Sequence, residues 1–366
     1  MDSDIVLVIV VATALAFDFT NGFHDTANSI ATLVSTRALP PRAAVALSAV
    51  LNFAGAFISL KVAATVAKDF VDPTQITSQI VFAGLVGAIA WNLITWYFGL
   101  PSSSSHALIG GVVGAAFAAK GSDIIGGDAL IAKLLVPAVV APILAFVVAL
   151  GAIVVCYRLV ARLRPGPTTR GFRYGQLATG SLLSLSHGTN DAQKTMGIIA
   201  LALVGSGHLA PKADPPTWVI VCAATAISLG TYAGGWRIIK TMGTRIIKMD
   251  PAQGLVAQSS AAAVILASSH YGFPLSTTHV TSGAIMGAGA GKRLSAVRWG
   301  VAGNIVVAWV LTFPAAALVG AVTYGITSIF PGVAAGPVVV FAALLLALLV
   351  VLGRRLGGGR ALTAEG

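Results

Sequence analysis

Apolar runs of about twenty residues recur from one end of the chain to the other, divided by short polar stretches. A hydrocarbon core about 30 Å thick asks for a helix of that length. Segments 43–67, 217–236, 298–326 and 332–352 meet it directly, and 130–158 is long enough to cross at a tilt. Runs 5–36 and 173–205 start apolar and are interrupted by polar residues. Two further stretches, 79–118 and 252–290, are pairs of apolar arms parted by Gly-Leu-Pro-Ser and Tyr-Gly-Phe-Pro-Leu-Ser. Each pair reads as two crossings or as a helix followed by a re-entrant arm. The pattern predicts an all-α polytopic membrane protein of roughly 10–12 membrane segments.

Composition supports this. Of 366 residues, 56% are hydrophobic and 10% charged, with mean hydropathy +0.88. A soluble domain is roughly a quarter charged. The net charge of +11 would suggest nucleic acid in a soluble chain, but its placement argues otherwise. Arg37 and Arg42 form one group, and Arg158, Arg162, Arg164, Arg170 and Arg173 a second. Arg237, Lys240, Arg245 and Lys248 form a third, and Lys292, Arg293 and Arg298 a fourth. With Arg354, Arg355 and Arg360 these hold 17 of the 23 basic residues. All five groups fall on one face if the interrupted runs each cross once and the paired arms return to their starting side. Short cytoplasmic loops are enriched in Lys and Arg. A plasma (inner) membrane location follows as the expectation, with the N-terminus outside and the C-terminus cytoplasmic. Met-Asp-Ser-Asp at the start has no basic region, so the first run reads as a retained helix. Cys156 and Cys222 lack redox or metal spacing, and no nucleic-acid partner is expected.

The chain repeats itself. Asn21-Gly-Phe-His-Asp25 matches His187-Gly-Thr-Asn-Asp191 at an offset of 166, and Pro101–His106 matches Pro274–His279 at 173. Gly110 and Gly114 answer Gly283 and Gly287 at that second offset, and Pro142 and Pro314 nearly keep it. The expected organisation is a first repeat over 1–157, a basic cytoplasmic linker over 158–173 and a second repeat over 174–330. A transmembrane helix over 331–353 and a tail over 354–366 follow. On the topology above the two repeats have inverted topology, with broken or re-entrant helices. Secondary transporters are commonly built this way, with the site near the midplane.

Ionisable groups at membrane depth are expensive and usually functional. The candidates are Asp18, Asp25, Asp191, His24, His106, His187, His279 and Lys194. Gly22 and Gly188 mark each acid motif as a break whose carbonyls and carboxylates would suit Na⁺, or whose aspartate would take a proton. Helix capping is the plainer reading of Asp25 and Asp191. Asn21 is grouped with them as cation-coupling. The tracts Ser103, Ser104, Ser105 and Ser276, Thr277, Thr278 each follow a proline and open a helix, where hydroxyls and free N–H groups favour an anion. Ordinary capping is again the alternative. Asn28, Asn190 and Gln193 complete the expected substrate contacts. Lys194 aligns with Asn28 and either meets substrate or pairs with Asp191 or Asp18. His24, His106, His187 and His279 are proton carriers or structural histidines. The glycines of 287–292 lack phosphate-loop spacing and read as packing positions.

The run Asn21–Thr32, the segment Trp91–His106, the stretch Ser186–Lys194 and Pro274–His279 together resemble the inorganic phosphate transporter (PiT) family, its bacterial low-affinity permeases above all. The resemblance covers most of the chain. It implies an inverted-repeat symporter importing inorganic phosphate on a cation gradient, H⁺ or Na⁺, with Asp25 and Asp191 as cation-linked acids and the Ser/Thr tracts as phosphate ligands. Sodium-coupled animal relatives carry a glutamate after each acid motif. Here the nearest positions are Asn52 and Thr231, which leans towards protons. Bacterial relatives are linked to a neutral divalent metal–phosphate complex, although no dedicated metal spacing stands in this sequence. No cofactor is expected, and the partners are phosphate, lipid and, as an open option, further copies of the chain. The alternatives are a sulfate permease of the same fold, a passive anion channel, and an intramembrane hydrolase using Ser104 and His106.

Overall fold

A computed structural model describes residues 2–210, 213–332 and 334–361. The end of the expected tail, 362–366, lies outside the described residues. Helices are the only extended regular elements among the described residues. In chain order they are α1 (Asp2–Ser35), α2 (Pro41–Gly55), α3 (Lys61–Lys68), α4 (Ser78–Phe98), α5 (Ser104–Lys120) and α6 (Gly127–Val160). Then follow α7 (Pro165–Gly205), α8 (Thr217–Ala233), α9 (Trp236–Arg245), α10 (Pro251–His270), α11 (Thr277–Lys292), α12 (Trp299–Ser328) and α13 (Ala335–Ala361).

The order α1–α6 recurs as α7–α12, and so does the packing. α1 lies on α8 and α7 on α2, while α5 lies on α12 and α11 on α6. The matched small-residue pairs explain the last two contacts. A Cβ on Gly110 or Gly114 would fall 2.7 Å from the Phe313 carbonyl oxygen or 2.0 Å from that of Ala317, on either side of Pro314. A Cβ on Gly283 or Gly287 would fall 2.4 Å from the Pro142 oxygen or 2.1 Å from that of Phe146. Only glycine allows these backbones to touch. Each half therefore clamps its glycine-bearing helix on the other half's proline-bearing helix.

Two expectations from the pattern are corrected. The polar stretches in 5–36 and 173–205 do not interrupt their helices. α1 runs unbroken for 34 residues and α7 for 41, about 50 and 60 Å. Gly22 and Gly188 serve close crossing instead of an unwound turn. A Cβ on Gly22 would lie 2.3 Å from the Ile227 oxygen of α8, and one on Gly188 would lie 2.2 Å from the Asn52 oxygen of α2. The breaks fall elsewhere. Segment 43–67 divides at 56–60 into α2 and α3, and 217–236 bends by 59° between α8 and α9. α6 reaches Val160 and α7 begins at Pro165, so most of the basic stretch 158–173 is helical.

Among the described residues, four helices qualify as membrane spans by length and apolarity, α1, α4, α6 and α12, and α8 with α9 would make a fifth. That is fewer than the 10–12 segments expected. α5 and α11, at 17 and 16 residues, reach only about 25 Å, short of a hydrocarbon core. α7 and α10 carry the buried polar residues that lower their hydropathy.

The arms 79–118 and 252–290 are helical hairpins, α4–α5 and α10–α11. α4 stops at Gly99, whose φ of 66° is a left-handed turn that suits glycine. Ser103 and Ser276 then cap α5 and α11, accepting from the backbone N–H of His106 and His279 at 3.1 and 3.2 Å. The hairpin tips meet each other, for the Ser105 hydroxyl donates to the Leu275 carbonyl at 3.0 Å.

Candidate substrate and cation site

The two tips meet against the middles of α1 and α7, where the acid motifs lie. Motifs 166 residues apart in sequence become neighbours: one ligand atom each of Asp25, His187 and Asp191 lies within 4.8 Å of the others. Both carboxylates are buried, at 3% and 1% exposure, so each must be matched locally.

Asp25 Oδ1 lies 2.7 Å from His24 Nδ1 and accepts from the Thr278 hydroxyl at 3.3 Å. His24 Nε2 stands 3.1 Å from Thr95 Oγ1 and 3.3 Å from Ser102 Oγ, and Ser102 donates to Thr95 at 2.8 Å. The Asn28 amide donates to Thr277 and Thr278 at 3.2 and 3.0 Å, while its own carbonyl oxygen is buried without a partner. Asn21 likewise has a buried, unpartnered carbonyl oxygen.

Asp191 accepts from the Thr277 hydroxyl at 2.9 Å and lies 2.8 Å from His187 Nε2. Its other oxygen accepts from Lys194, one turn along α7. Lys194 is only 1% exposed, and its ammonium also donates to Ser105 at 2.5 Å and to the Leu275 carbonyl at 2.7 Å. Of the two pairings expected for Lys194, contact is made with Asp191. Asp18 is fully buried, with Thr195 and Asn21 as the polar side chains beside its carboxylate.

Thr277 and Thr278 thus meet the acids directly, while Asn28 reaches them through those two hydroxyls and Ser105 through Lys194. Ser104 is buried beside them with an unpartnered hydroxyl. Other expected contacts are turned to structural work. Ser103 and Ser276 are the caps already described. Asn190 donates to Ser269 at 2.8 Å and to the Phe273 carbonyl at 3.2 Å, bracing the α10–α11 turn. Gln193 accepts from the N–H groups of Val62 and Ala63 at 2.9 and 3.2 Å, capping α3, and donates to the Thr189 carbonyl.

His106 and His279 meet edge to face at 4.8 Å, and His279 stacks on Trp309 at 4.1 Å. They wall one end of a cavity of about 560 Å³ whose remaining lining, including Pro142, Met286, Val310 and Phe313, is apolar. That lining offers an anion nothing to bind. The buried acids and Lys194 gather in the polar cluster and not along this lining.

Four participants were not among the expected site residues, although Thr95 and Leu275 lie inside the segments Trp91–His106 and Pro274–His279. Thr95 holds His24, Ser269 holds Asn190, Trp309 packs on His279 and the Leu275 main chain receives Lys194. Thr95 stands out as a polar residue inside the apolar α4, a signal visible in sequence. The other three depend on the fold. The trio of Asp25, His187 and Asp191, whose ligand atoms stand close enough to hold a metal ion, is also assembled only in space, where no spacing in the sequence shows it.

Long apolar helices around buried, paired acids and two helix-start hydroxyl tracts define a multi-pass membrane transporter of ions. The phosphate transporter family model matches residues 21–320, and the chain belongs to that family. It is 56% identical over 327 residues to a Mycobacterium bovis protein named "Probable low-affinity inorganic phosphate transporter", covering 89% of this chain and 78% of that one. A Bacillus subtilis protein of the same name is 47% identical over 87% of this chain and 96% of its own. Among solved structures, a sodium-dependent phosphate transporter superposes with a TM-score of 0.77 at 23% identity, over 89% of this chain and 99% of that one. The family consists of transporters and not enzymes, which disposes of the hydrolase alternative.

Proposed function

We propose that the protein imports inorganic phosphate across the plasma membrane by symport with a cation, through alternating access of two inverted halves around the Asp25–Asp191 cluster. The observation that carries this reading is the crossed closure of the two acids. Thr278 and Thr277, from one hydroxyl tract, bond Asp25 of the first half and Asp191 of the second. An anion held by those hydroxyls would lie next to two carboxylates. At about 4 Å and an effective dielectric near 20, the contact with Asp25, which has no ammonium partner as Asp191 has in Lys194, costs about 4 kcal/mol. Phosphate and the coupling cation must therefore load together, which is the physical basis of coupling.

Ser105, Thr277, Thr278 and the N-terminal turns of α5 and α11 would hold the phosphate oxygens, with Ser104 beside them. Asp25 would take the driving cation. Asn52 and Thr231, at the positions where sodium-coupled animal relatives carry glutamates, are bonded to each other at 2.8 Å, which supports protons as the coupling ion. Asp25, His187 and Asp191 offer the oxygen and imidazole ligands of a divalent ion, so a neutral metal–phosphate complex is the cargo the trio suits. The basic loops then face the cytoplasm and the N-terminus the outside.

The test is uptake of labelled phosphate into liposomes holding purified protein. Asp25→Asn is expected to cut accumulation at least about tenfold, the loss of one buried charge partner. Full accumulation in that variant would sink the role given to Asp25.

A further inference from the structure

One of the differences between the two halves puts a fixed charge in only one of them. Lys194 stands three residues after Asp191 and Asn28 three after Asp25. Ser105 answers Thr278 at the 173-residue offset, and each meets the other half's motif. In the first half that corner presents a neutral amide with a buried, unpartnered carbonyl oxygen. In the second half it presents an ammonium whose three N–H donors are all used, on the Asp191 carboxylate, the Ser105 hydroxyl and the Leu275 main-chain carbonyl. A carboxylate, a hydroxyl and the carbonyl of a helix-breaking loop are the oxygens that hold a small monovalent cation in interrupted-helix transporters.

We propose that Lys194 is a tethered cation: its ammonium permanently fills the second-half cation position, so this transporter has one mobile coupling-cation position, at Asp25 and Asn28, where a symmetric relative would have two. The inference rests on the symport reading and adds the number of mobile cations to it. A free sodium ion cannot share the second position with Lys194, because it would meet the ammonium at contact distance and find Asp191 Oδ1, the Ser105 hydroxyl and the Leu275 carbonyl engaged, whereas Asp191 Oδ2, 2.8 Å from His187 Nε2, stays turned to the trio. The tether also explains why Asp191 tolerates full burial without exchanging a partner on every cycle.

The prediction is that a neutral side chain at 194 opens the position to sodium. Thermal unfolding of the full-length protein in lipid–detergent micelles is compared in sodium chloride and in choline chloride at about 100 mM. In Lys194→Asn and Lys194→Ala, sodium is expected to raise Tm by about 2 °C more than it does in the wild type. Uptake by Lys194→Asn should become at least about fivefold sodium-stimulated, the change expected when a vacated carboxylate site gains its ion. A folded Lys194→Asn whose sodium response is no larger than that of the wild type overturns the inference. A second measurement needs no variant. At fixed phosphate, wild-type uptake should rise with coupling-cation concentration with a Hill coefficient near 1, and a value near 2 overturns it as well. Absence of wild-type uptake under any gradient would sink the symport reading alone, since the sodium shift in Tm does not depend on transport.

Discussion

Removing the Lys194 ammonium while leaving Asp191 in place should be among the most destabilising single changes available to the core. Lys194 and Asp191 are each 1% exposed, so water cannot replace the lost partner. Breaking a buried ion pair from one side costs about 3–5 kcal/mol. His187 and Thr277 still contact Asp191, which places Lys194→Met toward the lower end, about 3 kcal/mol. Asp191→Asn strands the ammonium instead, with Ser105 and the Leu275 carbonyl as remaining acceptors, at a similar cost. The double variant removes both charges and loses chiefly hydrogen bonds, about 1–2 kcal/mol each. A double-mutant cycle by chemical unfolding in sodium-free mixed micelles should therefore return a coupling of about 2–3 kcal/mol. Additive single effects, or a Lys194→Met cost below about 1 kcal/mol, would refute a paired, desolvated ammonium.

The glycine contacts give a contrast within one fold. Gly287→Ala places a Cβ 2.1 Å from the Phe146 carbonyl oxygen and should lower Tm or folded yield sharply, since backbone cannot yield as a side chain can. Gly151→Ala, on α6 with nothing within 4 Å, should gain up to about 1 kcal/mol in the same unfolding assay. At the start of α10, burial works against ionisation of Asp250. Hydrogen bonds from Tyr157 at 2.6 Å, the Gln253 N–H at 3.0 Å and Lys292 at 3.0 Å outweigh it and hold the carboxyl below the usual aspartate range. A lowered folded value means stability that is present above the unfolded pKa near about 3.9 and is lost as pH falls through the folded one. Asp250→Asn, which keeps the cap, should therefore lower Tm at pH 7 and converge with the wild type in acid.

Much of the site was legible in the sequence because its determinants are local and doubled. Each acid motif occurs twice at an offset of 166, each hydroxyl tract and glycine pair twice at 173, and the two proline-bearing helices nearly keep the second offset. The paired arms part at Pro101 and Pro274 in the sequence, while Lys194 stays open between substrate, Asp191 and Asp18. The rest depends on tertiary contacts that no local pattern encodes. Polar runs in α1 and α7 look like breaks in one dimension, yet Asp25 and Asp191 find partners across the fold and the helices need not unwind. Gly22 and Gly188 carry the same letter whether they supply a turn or a crossing, and only Ile227 and Asn52 opposite them decide. Gln193 and Asn190 were polar residues beside a motif, and the N-terminus of α3 and the turn after α10 claimed them. The trio of Asp25, His187 and Asp191 spans the two halves and exists only in space.

Coupled transport through this cluster is tested most directly by imposing a pH gradient, acid outside, on sodium-free liposomes holding the purified protein and following labelled phosphate inward. The account predicts accumulation above the external concentration, abolished by a protonophore and little changed by added sodium. Phosphate that only equilibrates, whatever the gradient, would contradict it.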